Sequence, residues 1–245
     1  MVREFFKILS NREIANRMFE MILAGNTSDI KAPGQFINIR IKDLYLRRPI
    51  SISSYKEGEL SIIYKVIGVG TEAMSKMPPG EELDILVAAG NGFDVSKAKG
   101  KEKVCLVGGG CGVAPLYGVA EALVKETDIT PTVLIGFQTK DDAFLKERFE
   151  KLGCKVIVAT NDGVLGFQGH VTDAMKPDEY DYAFGCGPGP MLEAVCKLVK
   201  DGQFSFESRM ACGFGVCYGC SREMKSGVKR ICKDGPVFEK EDIIW

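Results

Sequence analysis

Apolar and polar positions in the first hundred residues alternate in short runs, and turn-forming residues separate the runs. "GQFINIRI", "RRPISISSY" and "LSIIYKVI" are β-branched and partly alternating, with "KEGE" and "MPPGEE" between them. That spacing, with little helical periodicity, predicts a small antiparallel β-barrel or sandwich over residues 1–98. Near Lys99 the period changes. "KVCLVGGG" is an apolar run ending in glycines, and "APLYGVAEALVKE" after it has helical spacing. "TPTVLIGF", "KVIVAT" and "DYAFGCG" read as further strands, and "DDAFLKERFEKLG" and "PMLEAVCKLVKDG" as helices. Alternating strands and helices of this length predict a doubly wound parallel sheet over residues 99–203. Residues 204–245 are Gly- and Cys-rich, with no long periodic element, and form a small third unit. The expected class is therefore β plus α/β, without repeats or a low-complexity linker.

Composition narrows the function classes. The 245 residues are 45% hydrophobic and 27% charged with a formal net charge of −1, so clustered cation attraction to nucleic acid or an anionic membrane is not expected. Glu4, Arg12, Glu13 and Arg17 interrupt any signal-peptide core, and no apolar run is long enough to span a bilayer. The expected compartment is the cytoplasm. A reducing cytoplasm argues against a disulfide framework for the nine cysteines, an odd number. Cys105, Cys111, Cys154, Cys186 and Cys196 are scattered through apolar or Gly-rich segments and read as small core residues. Cys212, Cys217, Cys220 and Cys232 fall close together and read as a metal site.

Two glycine loops suggest a nucleotide. Gly108, Gly109, Gly110 and Gly112 follow a predicted strand and open a helix, where backbone N–H groups can approach a pyrophosphate. "GCGPGPM", with Cys186, Gly187 and Pro188, sits at the end of the last predicted strand, on the same sheet edge. Ligands of open α/β sheets bind at that edge, so the pair points to a dinucleotide, with Cys186 where a nicotinamide could stack. In the barrel stretch, Arg48 and Ser51 flank Pro49 and Ile50. Gly70 and Thr71 begin a short helix, with Thr71 the expected N-cap. The one histidine, His170, reads as structural, and Trp245 carries no assignment.

The order of "PGQF", "RPIS", "GVGT", "GGGCGVAP" and "GCGPGPM" resembles the ferredoxin–NADP reductase superfamily. "RRPISI", "ATNDGVLGFQGHVTD" and the tail "ESRMACGFGVCYGC…ICKDGPVF" resemble, within it, the electron-transfer subunits of the dihydroorotate dehydrogenase B type. The resemblance implies an FAD domain at 1–98, an NAD domain at 99–203 and a [2Fe–2S] domain at 204–245. Arg48 would neutralise the FAD pyrophosphate, and Pro49, Ile50 and Ser51 would line the flavin. Ile63, Tyr64 and Lys65, with Gly70 and Thr71, would complete that site. Gly108 to Gly112 and Cys186 to Pro188 would receive NAD. An FMN-containing catalytic subunit would oxidise dihydroorotate in a heterotetramer of two of each chain, placing the protein in pyrimidine biosynthesis.

The cysteine spacing bears on this independently. C-x4-C-x2-C at Cys212, Cys217 and Cys220, then Cys232 after eleven residues, is the ligand order of plant-type [2Fe–2S] proteins. Zinc is the competing metal, although its structural sites usually pair two short knuckles. The rival functions are a related subunit of a ferredoxin-dependent transhydrogenase or hydrogenase, a stand-alone flavin reductase, and a zinc-stabilised docking module. No catalytic acid or base is singled out, and the choice of NAD over NADP is not legible.

Overall fold

The computed structural model describes residues 1–245. Six antiparallel strands close the barrel: β1 (Val2–Ala15), β2 (Met18–Ala24), β3 (Phe36–Ile39), β4 (Arg48–Lys56), β5 (Glu59–Lys65) and β6 (Glu82–Ala89), in the order β1-β2-β5-β4-β3-β6. The alternation seen in the sequence buries Phe6, Met21, Ile37, Ile52, Ile62 and Ile85 inside it. A short helix, α1 (Val69–Ser75), follows β5.

The second unit contains β7 (Val104–Gly109), α2 (Val113–Thr127), β8 (Thr132–Phe137), α3 (Lys146–Lys151), β9 (Lys155–Thr160), β10 (Phe167–Gln168), β11 (Tyr182–Cys186), α4 (Gly189–Leu198) and β12 (Asp201–Ser205). Its sheet runs β10-β9-β8-β7-β11-β12 and is parallel throughout. The order departs in both directions from β7, which makes the carboxyl ends of β7 and β11 a switch point.

The C-terminal stretch forms the hairpin β13 (Ser221–Met224) and β14 (Gly227–Arg230), then β15 (Val237–Glu239). β15 adds antiparallel to β12 and so extends the parallel sheet. The expected division between residues 203 and 204 therefore falls inside a strand, β12, whose partners lie in both units.

Two expected helices are shorter than their apolar spacing suggested. The one over 141–153 is confined to Lys146–Lys151, because Leu145 is left-handed (φ 66°) and a separate 3-10 turn, Lys140–Asp142, precedes it. The one over 190–202 ends at Leu198, and Asp201 already begins β12. No helix is long and apolar enough to cross a membrane.

Barrel and sheet are joined by directed contacts. The Ser53 hydroxyl donates to the Ala114 carbonyl (2.8 Å), and the Asn16 N–H donates to the Asp141 carbonyl (2.9 Å). Glu20 on β2 accepts two hydrogen bonds from the Arg148 guanidinium on α3, one of them at 2.8 Å.

Candidate functional site

The flavin residues inferred from the sequence lie on the two lips of a slot in the barrel wall. Pairing between β4 and β5 runs from Lys56↔Glu59 to Ile52↔Ile62, with a register shift between Ile52 and Ser54, and goes no further. Arg48 to Ser51 stay paired to β3, and Ile63 to Lys65 stay paired to β2, so the two segments splay apart. Arg48, Pro49, Ile50 and Ser51 are all half-buried on one lip. The Arg48 side chain reaches across to α1, where any side chain at Gly70 would collide with the guanidinium. A flat, partly anionic group is the kind of ligand this cation and slot accommodate.

The opposite lip corrects two expectations. The Tyr64 ring is inside the barrel, stacked on Phe19 (5.9 Å between centroids), and its hydroxyl donates to Asn11 Oδ1 at 2.9 Å. Burial pushes that phenol up, so it stays protonated. Tyr64 therefore offers the slot its backbone only. Thr71 is not the N-cap; Gly68 is. The Thr71 hydroxyl instead accepts the N–H groups of Ile67 (3.0 Å) and Gly68 (3.3 Å), which folds the loop ahead of the helix. Lys65 reaches the second unit, with Nζ 3.4 Å from Asp142 Oδ1.

The two glycine loops meet at the switch point. Gly112 lies directly against the Cys186–Gly187 backbone, so a side chain there would be driven into it. Gly109 packs under Pro188 and Met191, at 2.9 Å and 2.7 Å from the position a Cβ would take. Gly110 is exposed with φ 53°, which turns the chain from β7 into α2. Cys111, between them, faces the barrel with its sulfur 3.8 Å from Met18 Sδ.

Beyond these loops a cleft of about 460 Å³ follows the carboxyl ends of the strands. Gly109, Gly110 and Pro188 line it, as expected, but so do Gln138 after β8, Asn161 after β9 and His170 after β10. Sequence reasoning missed those three, because each follows a different strand and no local motif unites them. Glu207 is exposed as a residue, yet protein around its carboxyl pushes it up, and its charge adds to the burial that raises Cys111 and Cys186.

The cysteine loop lies against the barrel. The Asn38 amide on β3 donates to the Gly213 carbonyl (3.4 Å). Arg230 braces the loop, donating to the Gly215 carbonyl at 2.8 Å while paired with Asp234 at 2.9 Å, and lies 5.0 Å from the Tyr218 ring centroid. The Asn91 side chain ties the unit down further, donating to Val237 O at 2.7 Å and accepting from Val237 N at 3.1 Å.

The Cys212 thiol neighbours Cys217, and the Cys232 thiol neighbours Cys220 with Cys212 next, but no three of them close on one metal position. Backbone N–H groups point at three of the sulfurs: Val216 at Cys212, Gly219 at Cys217 and Cys232 at Cys220, each at 3.4 Å. Burial would raise the Cys212 thiol, but N–H groups of Cys217, Phe214 and Val216 outweigh it and bring it down to about 6. Cys232 is pushed up to about 12, by burial and then by its neighbour Cys220. Four soft donors with N–H groups aimed at sulfur suit an iron–sulfur cluster, whose bridging and terminal sulfurs accept such bonds.

Comparison with known proteins agrees with this geometry. Residues 207–244 match the iron-sulfur cluster binding domain of dihydroorotate dehydrogenase B, and residues 106–197 match the oxidoreductase NAD-binding domain. The dihydroorotate dehydrogenase B (NAD(+)) electron transfer subunit of Fusobacterium nucleatum is 40% identical over 248 residues, 95% of each chain. Its counterpart in Bacillus pumilus is 38% identical over 256 residues, covering 99% of this chain and 98% of that one. Among solved structures, an NADH-dependent reduced ferredoxin-NADP oxidoreductase superposes with a TM-score of 0.86 at 29% identity, over 98% of this chain and 90% of that one. The ferredoxin reductase in carbazole 1,9a-dioxygenase shares the fold, with a TM-score of 0.67 at 21% identity over 81% of this chain and 66% of that one. With identity at this level along its whole length, the chain belongs to the family of dihydroorotate dehydrogenase B (NAD(+)) electron transfer subunits.

Proposed function

We propose that this chain is the electron-transfer half of an NAD-linked dihydroorotate dehydrogenase. A separate FMN-containing subunit oxidises dihydroorotate to orotate, and this chain delivers the electrons to NAD+. The observation that carries the reading is the adjacency of three sites in one chain. Asn38, whose amide meets the cysteine loop at Gly213, is paired across β3 and β4 with Pro49 on one lip of the slot. Neighbouring strands lie about 4.8 Å apart. On the other lip, Met18, the strand partner of Lys65, meets the Cys111 sulfur at 3.8 Å in the glycine loop that opens the cleft.

When bound, FAD exchanges a hydride with NAD and single electrons with a [2Fe–2S] cluster. In this reading Cys212, Cys217, Cys220 and Cys232 are the cluster ligands. Arg48, Pro49, Ile50, Ser51, Ile63, the Tyr64 backbone, Lys65, Gly70 and Thr71 hold FAD, with Arg48 neutralising its pyrophosphate. Gly108, Gly109, Gly110 and Gly112, with Cys186, Gly187 and Pro188, receive NAD. The chain's own part is to position these groups, supply N–H donors to sulfur and phosphate, and keep water from the buried junction. Three functional units, FAD at 1–98, NAD at 99–203 and cluster at 204–245, share the continuous packing described above. Nine unpaired cysteines suit the reducing cytoplasm, and two copies of each subunit make the complete enzyme.

The purified chain should contain iron and sulfide in equal amounts with FAD, and should reduce dyes with NADH. It should form orotate only after the FMN-containing subunit is added. Orotate formation by the isolated chain, or zinc in place of iron, would overturn the assignment.

A further inference from the structure

We infer that His170 grips the adenosine half of the nicotinamide nucleotide, its ring against the adenine, and so sets affinity in the cleft. The inference rests on the reading of that cleft as the NAD site.

The direction of the nucleotide follows from the fold. Hydride must pass between the nicotinamide and a flavin held on the barrel, so the nicotinamide lies at the barrel end. That end is marked by Cys111, whose sulfur is 3.8 Å from Met18. The pyrophosphate then lies over Gly109, Gly110 and Pro188, where backbone approach is closest. What remains of the cleft is its far end, bounded by Gln138, Asn161 and His170, and the adenosine half must occupy it.

Of the side chains lining the cleft, His170 is the one that is ionisable. Its backbone is fixed while its ring is free. The His170 N–H donates to Asp173 Oδ2 at 2.8 Å, and the preceding Gly169 N–H donates to the Thr160 carbonyl at 3.1 Å. Val171, only 3% exposed, packs against Gly136 at the end of β8. The bonds that order this turn run through the backbone and Asp173, whose own N–H donates to the His170 carbonyl at 2.9 Å, and the residue is exposed. In the same cleft, Gln138 and Asn161 are locked to each other, Asn161 Nδ2 donating to Gln138 Oε1 at 2.8 Å. A flat ring on a rigid turn, without a protein partner and at the adenosine end, is arranged to stack on a base.

The test separates the halves of the ligand. Dissociation constants for NADH, ADP-ribose and reduced nicotinamide mononucleotide are measured by calorimetry on the FAD-loaded chain and its variants. Flavin content and thermal melting check that each variant is folded. His170→Ala should weaken NADH and ADP-ribose about tenfold or more and leave the mononucleotide unchanged. His170→Phe, which keeps a flat ring, should retain ADP-ribose affinity. Unchanged ADP-ribose affinity in His170→Ala, or an equal loss for the mononucleotide, would overturn the inference, and a His170→Phe variant as weak as His170→Ala would overturn stacking. Ala194→Trp, which fills the cleft from α4, distinguishes the underlying reading. If it leaves NADH binding intact, the cleft is not the nucleotide site; if it abolishes binding while His170→Ala does nothing, only the role of His170 fails.

Discussion

Arg148→Met should loosen the joint between barrel and sheet, and its cost can be worked from the geometry. Glu20 sits on β2 with its side chain only 1% exposed, yet it is ionised between Arg148 and Arg12, which are 36% and 64% exposed. Burial opposes the charge, but the hydrogen bonds from both arginines outweigh it and hold the carboxyl below its ordinary value. Removing one partner of a buried pair costs about 3–5 kcal/mol. Screening at the partly exposed guanidinium lowers this to about 2–3 kcal/mol, and Arg12, still within 3.0 Å, keeps it from being larger. For a chain of this size that is a fall in Tm of about 4–12 °C. Arg12→Met, on the solvent side, should cost below about 1 kcal/mol. The double change Glu20→Met with Arg148→Met should recover most of the loss, since no buried charge is left unpaired.

The pH dependence has a definite sign. A depressed folded pKa means that the stabilisation is complete above the unfolded value near 4.5 and disappears as pH falls through the lower folded value. The gap between wild type and Arg148→Met should therefore close in acid. Calorimetric melting of the three variants at neutral and acid pH measures all of this. Equal Tm losses for Arg148→Met and Arg12→Met would refute the bridging argument.

Two other substitutions separate the cofactor sites. Cys217→Ser removes a soft thiolate that is exposed and accepts the Gly219 N–H at 3.4 Å, so iron and sulfide should be lost while flavin content stays at one per chain; full iron retention would exclude Cys217 as a ligand. Gly70→Val puts a side chain into the Arg48 guanidinium, and the protein should fold with its iron but lose FAD, read by flavin fluorescence after desalting; wild-type flavin content would remove Arg48 and Gly70 from the site.

Much of this fold was legible because the buried strands are local apolar runs with glycine punctuation. β7, β8, β9 and β11 are parallel and covered on both sides, so "VCLVGG" and "YAFGC" carry their own signal. What was illegible depends on distant partners. "DGQFS" has neither alternation nor β-branching, and becomes β12 because β11 and β15 flank it. Phe144, Leu145 and Phe149 are all buried, but the left-handed Leu145 caps α3 and cuts Phe144 off from it. The slot in the barrel wall was half legible. "RPIS" marks one lip, whereas the opening itself comes from the register shift between Ile52 and Ser54, which no residue type announces. The cysteine cluster was the easiest part to read, because Cys212, Cys217, Cys220 and Cys232 lie close together in the sequence.

That closeness in sequence does not make the cysteine unit independent. Roughly forty residues seldom bury enough apolar surface to fold alone. Here Cys220, Met224, Ile231, Cys232 and Ile243 belong to the same core as Phe36 and Ala89 from the barrel, Phe204 from the sheet and Phe206 just after β12. Trp245 completes the joint. It lies 5.6 Å from the Phe206 ring, and the Arg222 guanidinium covers Phe206 at 4.1 Å while donating to the Ile244 carbonyl at 3.1 Å. These contacts pin the β13–β14 hairpin beside the end of β12, while Trp245 stays 40% exposed. Because the unit borrows its core, the position of the four thiols relative to the slot is set by packing rather than by a linker. A unit on a flexible tether would have to search for the barrel; this loop is built against it.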